Sequence, residues 1–251
     1  MQCPKAAIFD LDDTLAESFM PPKADMLARL ARLLIGMPVA IMTAAGMPRI
    51  EGEILDQLAL SPHVDQLYIF PNSAAQCYVH EGGWRLAYSE ALNEGERQKI
   101  KQAIIESITE THMEQPHPSY EPKLIDREAQ IAYAFLGLEA TTDDKAKWDP
   151  DQSKRQVVKA ALEKRIPEFE ILIGGKTTID ITKKGVNKSY GVHWLSQKLA
   201  IPTSEMVYVG DALYPGGNDY VVVETGVQAR ITSGPQETLT IIDEILSSCS
   251  L

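Results

Sequence analysis

Cysteine is scarce in this sequence, and its three copies, Cys3, Cys77 and Cys249, lie far apart with no CxxC pair among them. Disulfide-rich folds and structural zinc sites are built from closely spaced cysteines. The spacing therefore argues against a disulfide framework and against structural zinc. We expect three inert thiols in a reducing, cytoplasmic compartment.

Long apolar runs are also missing, since none approaches the roughly 20 residues that a membrane-spanning helix requires. The opening MQCPKAAIFDLDD places acids too early for the apolar region of a signal peptide. Basic residues are outnumbered, with 24 Lys and Arg against 35 Asp and Glu and a formal net charge of -11. Binding to phosphate backbones needs a basic surface. We therefore expect neither a membrane nor a nucleic acid as a partner.

Short apolar runs that alternate with helical patterns predict a parallel sheet. Runs of four or five apolar residues without polar alternation are typical of strands buried on both faces. This order predicts an α/β fold with a Rossmann-like parallel sheet. The predicted strands are 6–9, 39–42, 67–70, 206–210 and 227–231, and the predicted helices are 24–34, 50–60, 189–200 and 237–248.

The middle of the chain breaks this rhythm and predicts an inserted α+β domain. A proline-rich loop is predicted over 113–123. We expect a discontinuous core domain, residues 1–87 and 185–251, and an inserted domain, residues 88–184. The predicted elements are a hairpin over 75–89 turning at Gly82-Gly83, a helix over 94–110, a strand over 129–139, a helix over 148–166 capped by Asp149 with Pro150 in its first turn, and strands over 169–175 and 177–182.

Three of the predicted parallel strands are followed or ended by a residue that could bind or react: Asp10, Thr43 and Asp211. In open parallel sheets, ligands bind beyond the carboxyl ends of the strands. Lys188, where the chain returns from the insertion, could neutralise carboxylates and hold a phosphoryl oxygen. The stretch GDALYPGGND adds Asp219 to the same rim.

The acids Asp10, Asp12 and Asp13 of FDLDDT admit two interpretations. One is a solvated turn with a helix cap, which suffices for the acids taken alone. The other is a site that uses negative charge to hold a cation and to attack an electrophile. The ordered series of polar strand ends favours the second.

These motifs carry a resemblance. The stretch DLDDT, Thr43, Lys188 and GDALYPGGND resemble, in order, the four motifs of the haloacid dehalogenase (HAD) superfamily of phosphotransferases. The long insertion resembles the cap of the type IIB branch. The stretches YIFPNSAA, IGGKTTIDITKKGVNKSYG and GDALYPGGNDY are similar to those of eukaryotic-type phosphomannomutases, which belong to that branch.

The resemblance implies a role for each motif residue. Asp10 would be the nucleophile and Asp12 the general acid and base, while Thr43 and Lys188 would hold phosphoryl oxygens. Mg²⁺ would be the cofactor, bound by Asp10, the backbone carbonyl of Asp12, and Asp211. Outer positions around the metal or the lysine would be taken by Asn218 and Asp219.

The resemblance also implies a substrate site in the cap. Arg127 matches the first cap arginine of the mutases, and Thr178 and Asp180 match residues that contact the sugar. Three positions depart from the pattern: the second cap arginine falls near Leu138, an asparagine becomes Ala132, and the core arginine falls near Phe19. Another base, Lys123, Lys145 or Lys147, could substitute.

A mutase holds a bisphosphorylated intermediate in two orientations, so the departures favour a different reaction. We expect a Mg²⁺-dependent phosphatase acting on a small phosphorylated metabolite, such as a sugar phosphate, through an aspartyl-phosphate. The alternative is a phosphomannomutase that interconverts hexose 6-phosphate and hexose 1-phosphate. A third is a non-catalytic binding protein on the same scaffold. By resemblance, a homodimer through the cap is a possible assembly.

Overall fold

In this computed structural model, residues 3–58, 61–113 and 119–251 are described. The predicted positions 59–60 of one helix and 114–118 of the proline-rich loop lie outside these ranges. The chain divides into two compact units. The first comprises Met1–Ser89 and Asn187–Leu251, and the second comprises Glu90–Val186.

Strands and helices follow one another in nearly the order that the apolar patterns predict. A wider helical turn, Glu51–Leu55, joins the short helices Met47–Ile50 and Asp56–Leu58. The strands are β1 (Ala6–Phe9), β2 (Val39–Met42), β3 (Leu67–Phe70), β4 (Gln76–His80), β5 (Trp84–Ser89), β6 (Leu124–Asp126), β7 (Ile131–Ala134), β8 (Phe169–Gly174), β9 (Thr178–Lys183), β10 (Met206–Gly210) and β11 (Gln228–Ile231). The helices are α1 (Ala24–Gly36), α2 (Met47–Ile50), α3 (Asp56–Leu58), α4 (Glu94–Glu110), α5 (Thr142–Trp148), α6 (Ser153–Arg165), α7 (Lys188–Leu199) and α8 (Pro235–Ser248), with short 3₁₀ turns at Val64–Gln66, Asn72–Ala74, Thr203–Glu205 and Tyr220–Thr225.

The first unit is built on a seven-stranded sheet in the order β11-β10-β1-β2-β3-β4-β5. Its first five strands in that order are parallel, and the hairpin of β4 and β5 adds two antiparallel strands at one edge. The prediction of an α/β fold with a parallel sheet is confirmed. β10, β1 and β2 are adjacent, so their carboxyl ends meet at one edge of the sheet.

Both faces of this sheet are covered, which is why its strands read as unbroken apolar runs. Alternate residues point to opposite faces. Phe9 and Ile41 belong to the buried cluster that includes the apolar stripe of α1 and the inner face of α8. Ile8 and Ala40 belong to the cluster on the other side, with α7.

The second unit is a four-stranded antiparallel sheet in the order β6-β7-β9-β8, with helices packed on one face. Ile131, Ile179 and Ile181 on that face share a buried cluster with Ile104 of α4 and Leu162 of α6. The other face carries Thr178 and Asp180, because side chains alternate along β9. Polar groups of this unit therefore lie on the face away from its helices.

The predicted start of the helix over 148–166 is wrong. α6 begins only at Ser153, and Asp149 ends the preceding helix α5, which the sequence did not predict. The Asp149 carboxylate instead accepts hydrogen bonds from Arg155 Nε at 2.8 Å and from the Lys154 backbone N–H at 3.0 Å. This pair is almost fully buried. The carboxylate also accepts from the Arg155 backbone N–H at 3.2 Å, so Asp149 both satisfies N–H groups in the first turn of α6 and is a buried counterion to Arg155.

The cysteine prediction is also wrong. Cys3, just before β1, and Cys249, at the end of α8, form a disulfide with Cα atoms 4.9 Å apart. Sequence spacing could not show this, because the two positions meet only after the sheet and its last helix have packed. Cys77 remains a thiol buried in the sheet, where burial raises its pKa.

Among the residues that the structure describes, no helix combines the length and the apolar character needed to cross a bilayer.

Candidate active site

The carboxyl ends of β1, β2 and β10 bring the predicted strand-end residues to one edge of the sheet. Asp10 follows β1 and is 5% exposed, and its backbone N–H donates to the Val209 carbonyl of β10 at 3.0 Å. Thr43 follows β2 and is also buried. Asp211 directly follows β10. The parallel register thus gathers residues from positions far apart in the sequence.

Lys188 lies at the start of α7 and joins two of these acids. Its Nζ is 2.7 Å from Asp10 Oδ1 and 2.6 Å from Asp219 Oδ1, and the side chain is 2% exposed. Asn187 places it there, since its side-chain oxygen accepts from the Ser189 backbone N–H at 2.9 Å and caps the helix. A buried ammonium between two carboxylates results.

Asp219 is held by further donors beneath β10. Its Oδ1 accepts from the Tyr208 hydroxyl at 2.6 Å, and its Oδ2 accepts from the Ala212 N–H at 3.2 Å. Gly210 makes room for it, because a Cβ there would lie 2.3 Å from Asp219 Oδ2. Asp219 therefore orients Lys188, and Asn218 precedes it as a half-buried residue.

Burial dominates the electrostatics of this cluster. It raises the pKa of Asp10 well above its ordinary value, against the opposing effect of Lys188. Burial opposes the charged form of Lys188, but the Asp10 and Asp219 carboxylates raise its pKa nonetheless. Burial and the Asp219 carboxylate raise the pKa of Asp211 to about 6. The cluster carries more negative charge than one lysine neutralises.

Three of the carboxylates fit a hard divalent cation. Asp10, Asp211 and Asp219 each offer one oxygen, and these atoms lie within 4.8 Å of one another. An all-oxygen set in a buried, acid-rich place is what Mg²⁺ prefers. A bound divalent cation would also remove the mutual repulsion that raises the carboxylate pKa values.

Two threonine hydroxyls form hydrogen bonds at this edge of the sheet, Thr14 with Asp211 and Thr43 with the backbone of Ala45. Thr14 Oγ1 accepts from the Asp211 N–H at 3.1 Å and lies 3.4 Å from its Oδ1. Thr43 Oγ1 accepts from the Ala45 N–H at 3.0 Å, and a hydroxyl in that position keeps its proton for another acceptor. Thr14 ends the DLDDT motif, but the sequence gives no signal for this contact.

The two acids after Asp10 have different partners. Asp13 closes a local turn, since its carboxylate accepts from the Ser18 backbone N–H and hydroxyl. Asp12 is held by the Phe19 N–H at 2.9 Å and by Arg49 Nη1 at 2.7 Å. The sequence did not predict the contact of Arg49 with Asp12, because a single arginine after a strand forms no recognisable pattern.

The predicted cap residues are placed within the second unit. Arg127 follows β6 and donates from Nη1 to Gln130 Oε1 at 2.7 Å. Asp180 is buried opposite Ala132 of β7, the position where an asparagine was expected. The Thr178 hydroxyl donates to the Gly174 carbonyl at 2.7 Å.

The candidate substitute lysines differ in their surroundings. Lys145 is 3% exposed, and its Nζ donates to the Leu138 carbonyl at 2.6 Å, at the position of the absent second cap arginine. Lys147 is exposed and pairs with Asp143 one helical turn away. Lys123 is half-buried before β6. Of the three, Lys145 is the one whose ammonium reaches Leu138.

Solved structures of other proteins share this fold. The fold is similar to a Plasmodium falciparum IMP-nucleotidase bound to IMP, with a TM-score of 0.74 at 14% identity over 97% of this chain and 68% of that one. It is also similar to a haloacid dehalogenase-like hydrolase from Bacteroides thetaiotaomicron, with a TM-score of 0.65 at 13% identity over 96% of this chain and 99% of that one. The shared fold is the one seen in haloacid dehalogenase-like hydrolases.

Comparison of the amino-acid sequence with known proteins identifies the family. The family model of eukaryotic phosphomannomutase matches residues 53–248. A phosphomannomutase from Spinacia oleracea is 24% identical over 250 residues, which cover 95% of this chain and 94% of that protein. This chain belongs to the eukaryotic phosphomannomutase family.

Proposed function

We propose that the chain is a Mg²⁺-dependent phosphohexomutase that moves a phosphoryl group between hexose oxygens through an aspartyl-phosphate on Asp10. The observation that carries this proposal is the buried Asp10–Lys188–Asp219 arrangement, at the sheet edge of a chain from this family. A carboxylate beside a fixed ammonium, next to further acids, suits phosphoryl transfer, because the enzyme's contribution there is positioning and charge stabilisation.

Two aspartates would carry the chemistry. A carboxylate oxygen of Asp10 attacks phosphorus, and the bond from phosphorus to the sugar oxygen breaks. Asp12 gives its proton to that oxygen, a contribution typically worth roughly 10²–10⁴-fold. In the second step Asp12 takes a proton from the accepting hydroxyl, whose oxygen attacks the phosphorus and frees Asp10. Lys188 and the Thr43 hydroxyl hold the phosphoryl oxygens throughout.

Mg²⁺ would be held by Asp10, Asp211 and the Asp12 carbonyl, and when bound it supplies positive charge to the phosphoryl oxygens. Asp219 is better suited to orient Lys188, because its oxygens already accept from Lys188, Tyr208 and the Ala212 N–H.

We infer that the second unit is the substrate-selecting cap. Its sheet face opposite the helices carries Thr178 and Asp180, and the Asp180 carboxylate lies over Gly174, where a Cβ would be 1.9 Å from its Oδ2. Arg127 would bind the second phosphate. Dimerisation through this unit stays a prediction.

A second candidate, a sugar-phosphate phosphatase, is favoured by the phosphate-binding positions. Leu138 and Phe19 stand where arginines are expected, and the loss of a desolvated arginine–phosphate contact costs about 2–5 kcal/mol. In the cap, Lys145, whose ammonium donates to the Leu138 carbonyl, would be a partial replacement. In the phosphatase, water replaces the accepting hydroxyl in the second step.

One assay separates the two candidates. The purified protein is incubated with Mg²⁺, mannose 1-phosphate and a catalytic amount of hexose bisphosphate. We expect mannose 6-phosphate to form, and Asp10→Asn to form none. Formation of inorganic phosphate without mannose 6-phosphate would contradict the mutase and support the phosphatase. Neither product from the wild-type protein, across a panel of phosphate esters, would contradict both.

Magnesium is expected to stabilise the protein in a pH-dependent way. The pKa of Asp211 is raised from 3.8 to about 6, so the folded metal-free protein binds more protons than the unfolded chain between these values. Its free energy of unfolding therefore falls as pH rises through that window. Above it the ionised Asp211 can bind Mg²⁺, which should raise the Tm near pH 7.5 and not near pH 5.

Thermal melts with Mg²⁺ or with a chelator, at both pH values, measure this difference. Asp211→Asn is the matched control, and it should lose most of the Mg²⁺-dependent rise. An equal rise at both pH values would contradict a role for Asp211 in holding the ion.

A further inference from the structure

The Asp12 carboxylate is fixed at both oxygens by donors from different parts of the first unit. The Phe19 backbone N–H, from the same loop, lies 2.9 Å from Oδ1. The Arg49 guanidinium, from α2, lies 2.7 Å from Oδ2. The two donors together define one orientation for a side chain that would otherwise rotate at the end of a loop.

Arg49 is itself oriented by that loop. Its guanidinium carbon lies 5.6 Å from the centre of the Phe19 ring, within the range of a cation–π interaction. Phe19 thus contacts both members of the ion pair, holding Asp12 through its backbone and Arg49 through its ring. Each of the three residues Asp12, Phe19 and Arg49 therefore contacts the other two.

The backbone of the loop is strained where it makes these contacts. Phe19 has a φ of 65° and Asp13 a φ of 54°, in the left-handed region that favours glycine. Such a conformation is unfavourable in a non-glycine residue and persists where its surroundings impose it. At Phe19 it accompanies the N–H contact to Asp12 and the ring contact to Arg49.

The ion pair differs from the surface pairs of the same unit. The side chains of Arg49 and Asp12 are 19% and 27% exposed, whereas those of Arg29 and Asp243 are 30% and 48% exposed. Arg49 also lies six residues after Thr43, on the segment that carries the proposed phosphate-binding hydroxyl. A surface pair that only adds solubility would not be expected in this place.

We infer that Arg49 is a positioning residue, which holds Asp12 in the orientation needed for proton transfer to and from the substrate oxygen. The inference rests on the proposed phosphoryl-transfer function and names no new step in it. A misplacement of about 1 Å can cost roughly 10²-fold in rate. Loss of Arg49 should therefore matter most where the leaving oxygen needs a proton.

Phenyl phosphates of matched shape test this requirement. p-Nitrophenolate is a weak base that leaves without a proton, whereas phenolate gains from one. Rapid-quench experiments with Mg²⁺ measure the release of phenol from one ester and of p-nitrophenol from the other, and so give the rate of the first step for both. In Arg49→Gln the ratio of the phenyl to the p-nitrophenyl rate should fall by about 30-fold. Phe19→Leu, which keeps the backbone N–H, should lower the ratio less.

A double variant tells whether Arg49 acts through Asp12. In an Asp12→Asn background, Arg49→Gln should change the ratio no further, because the group that it positions is already lost. Arg29→Gln is the matched control for removal of a guanidinium ion pair and should leave the ratio unchanged. Melting temperatures verify that each variant is folded.

The outcomes separate the inference from the proposed function. If the wild-type protein releases no p-nitrophenol in an Asp10-dependent manner and forms no mannose 6-phosphate from mannose 1-phosphate, the proposed function fails and the inference fails with it. If it does, and Arg49→Gln leaves the ratio unchanged or still lowers it in the Asp12→Asn background, the inference alone is overturned. An increase in KM for both esters with unchanged kcat would also overturn it, in favour of a substrate-binding arginine.

Discussion

Replacement of Lys188 by methionine is expected to lower the free energy of unfolding by about 3–5 kcal/mol and to reduce turnover to the level of Asp10→Asn. The stability loss arises because Asp10 and Asp219 remain buried without the ammonium that lies between them. Turnover is lost because the residue proposed to hold the phosphoryl oxygens is gone. Urea unfolding in the presence of a chelator measures the first effect, and the phosphate-ester assays measure the second.

The double variant Lys188→Met with Asp219→Asn is the matched control for the charge. It leaves one buried carboxylate fewer, so we expect part of the stability to return while turnover stays absent. The deficit of the single variant should also be smaller near pH 5 than near pH 8. Burial raises the pKa of Asp10, and its protonation at the lower pH removes the cost of an unpaired buried charge. A single variant as stable as wild type at pH 8 would contradict this account.

Cys3→Ser is expected to destabilise the oxidised protein by about 2–5 kcal/mol. The disulfide to Cys249 closes a loop with a sequence separation of 246, and the entropy that a cross-link removes from the unfolded chain grows with loop length. For a chain of this size the Tm should fall by roughly 10 °C. Chemical and thermal unfolding with and without dithiothreitol measure the effect.

Three controls isolate the cross-link. Cys249→Ser and the double variant should match Cys3→Ser, because each removes the same bond. Reduction should bring the wild type down to the variants and leave the variants unchanged. If dithiothreitol did not alter wild-type stability, the disulfide would have no energetic role.

The core of the fold was predictable because its signals are local. Four-residue apolar runs such as AAIF and VAIM identify strands buried on both faces, and their order along the chain suffices for a parallel sheet. Residues placed just beyond such strands must share an edge. For that reason Asp10, Thr43 and Asp211 could be grouped before their positions were known.

The features that the sequence did not predict depend on tertiary contacts. The Cys3–Cys249 bond and the Arg49–Asp12 pair join positions whose proximity follows only from packing. Asp149 accepts from N–H groups at the start of α6, but its buried pairing with the Arg155 guanidinium is something that no local pattern reveals. Lys145 likewise becomes notable only through its contact with the Leu138 carbonyl.

The Cys3–Cys249 bond makes residues 3–249 a covalent ring, because it links a position just before β1 to one at the end of α8. Cutting any one peptide bond between those two cysteines opens the ring without dividing it. A nicked molecule would thus keep its mass on a non-reducing gel, apart from the added water, and separate into two pieces only once the sulfurs are reduced.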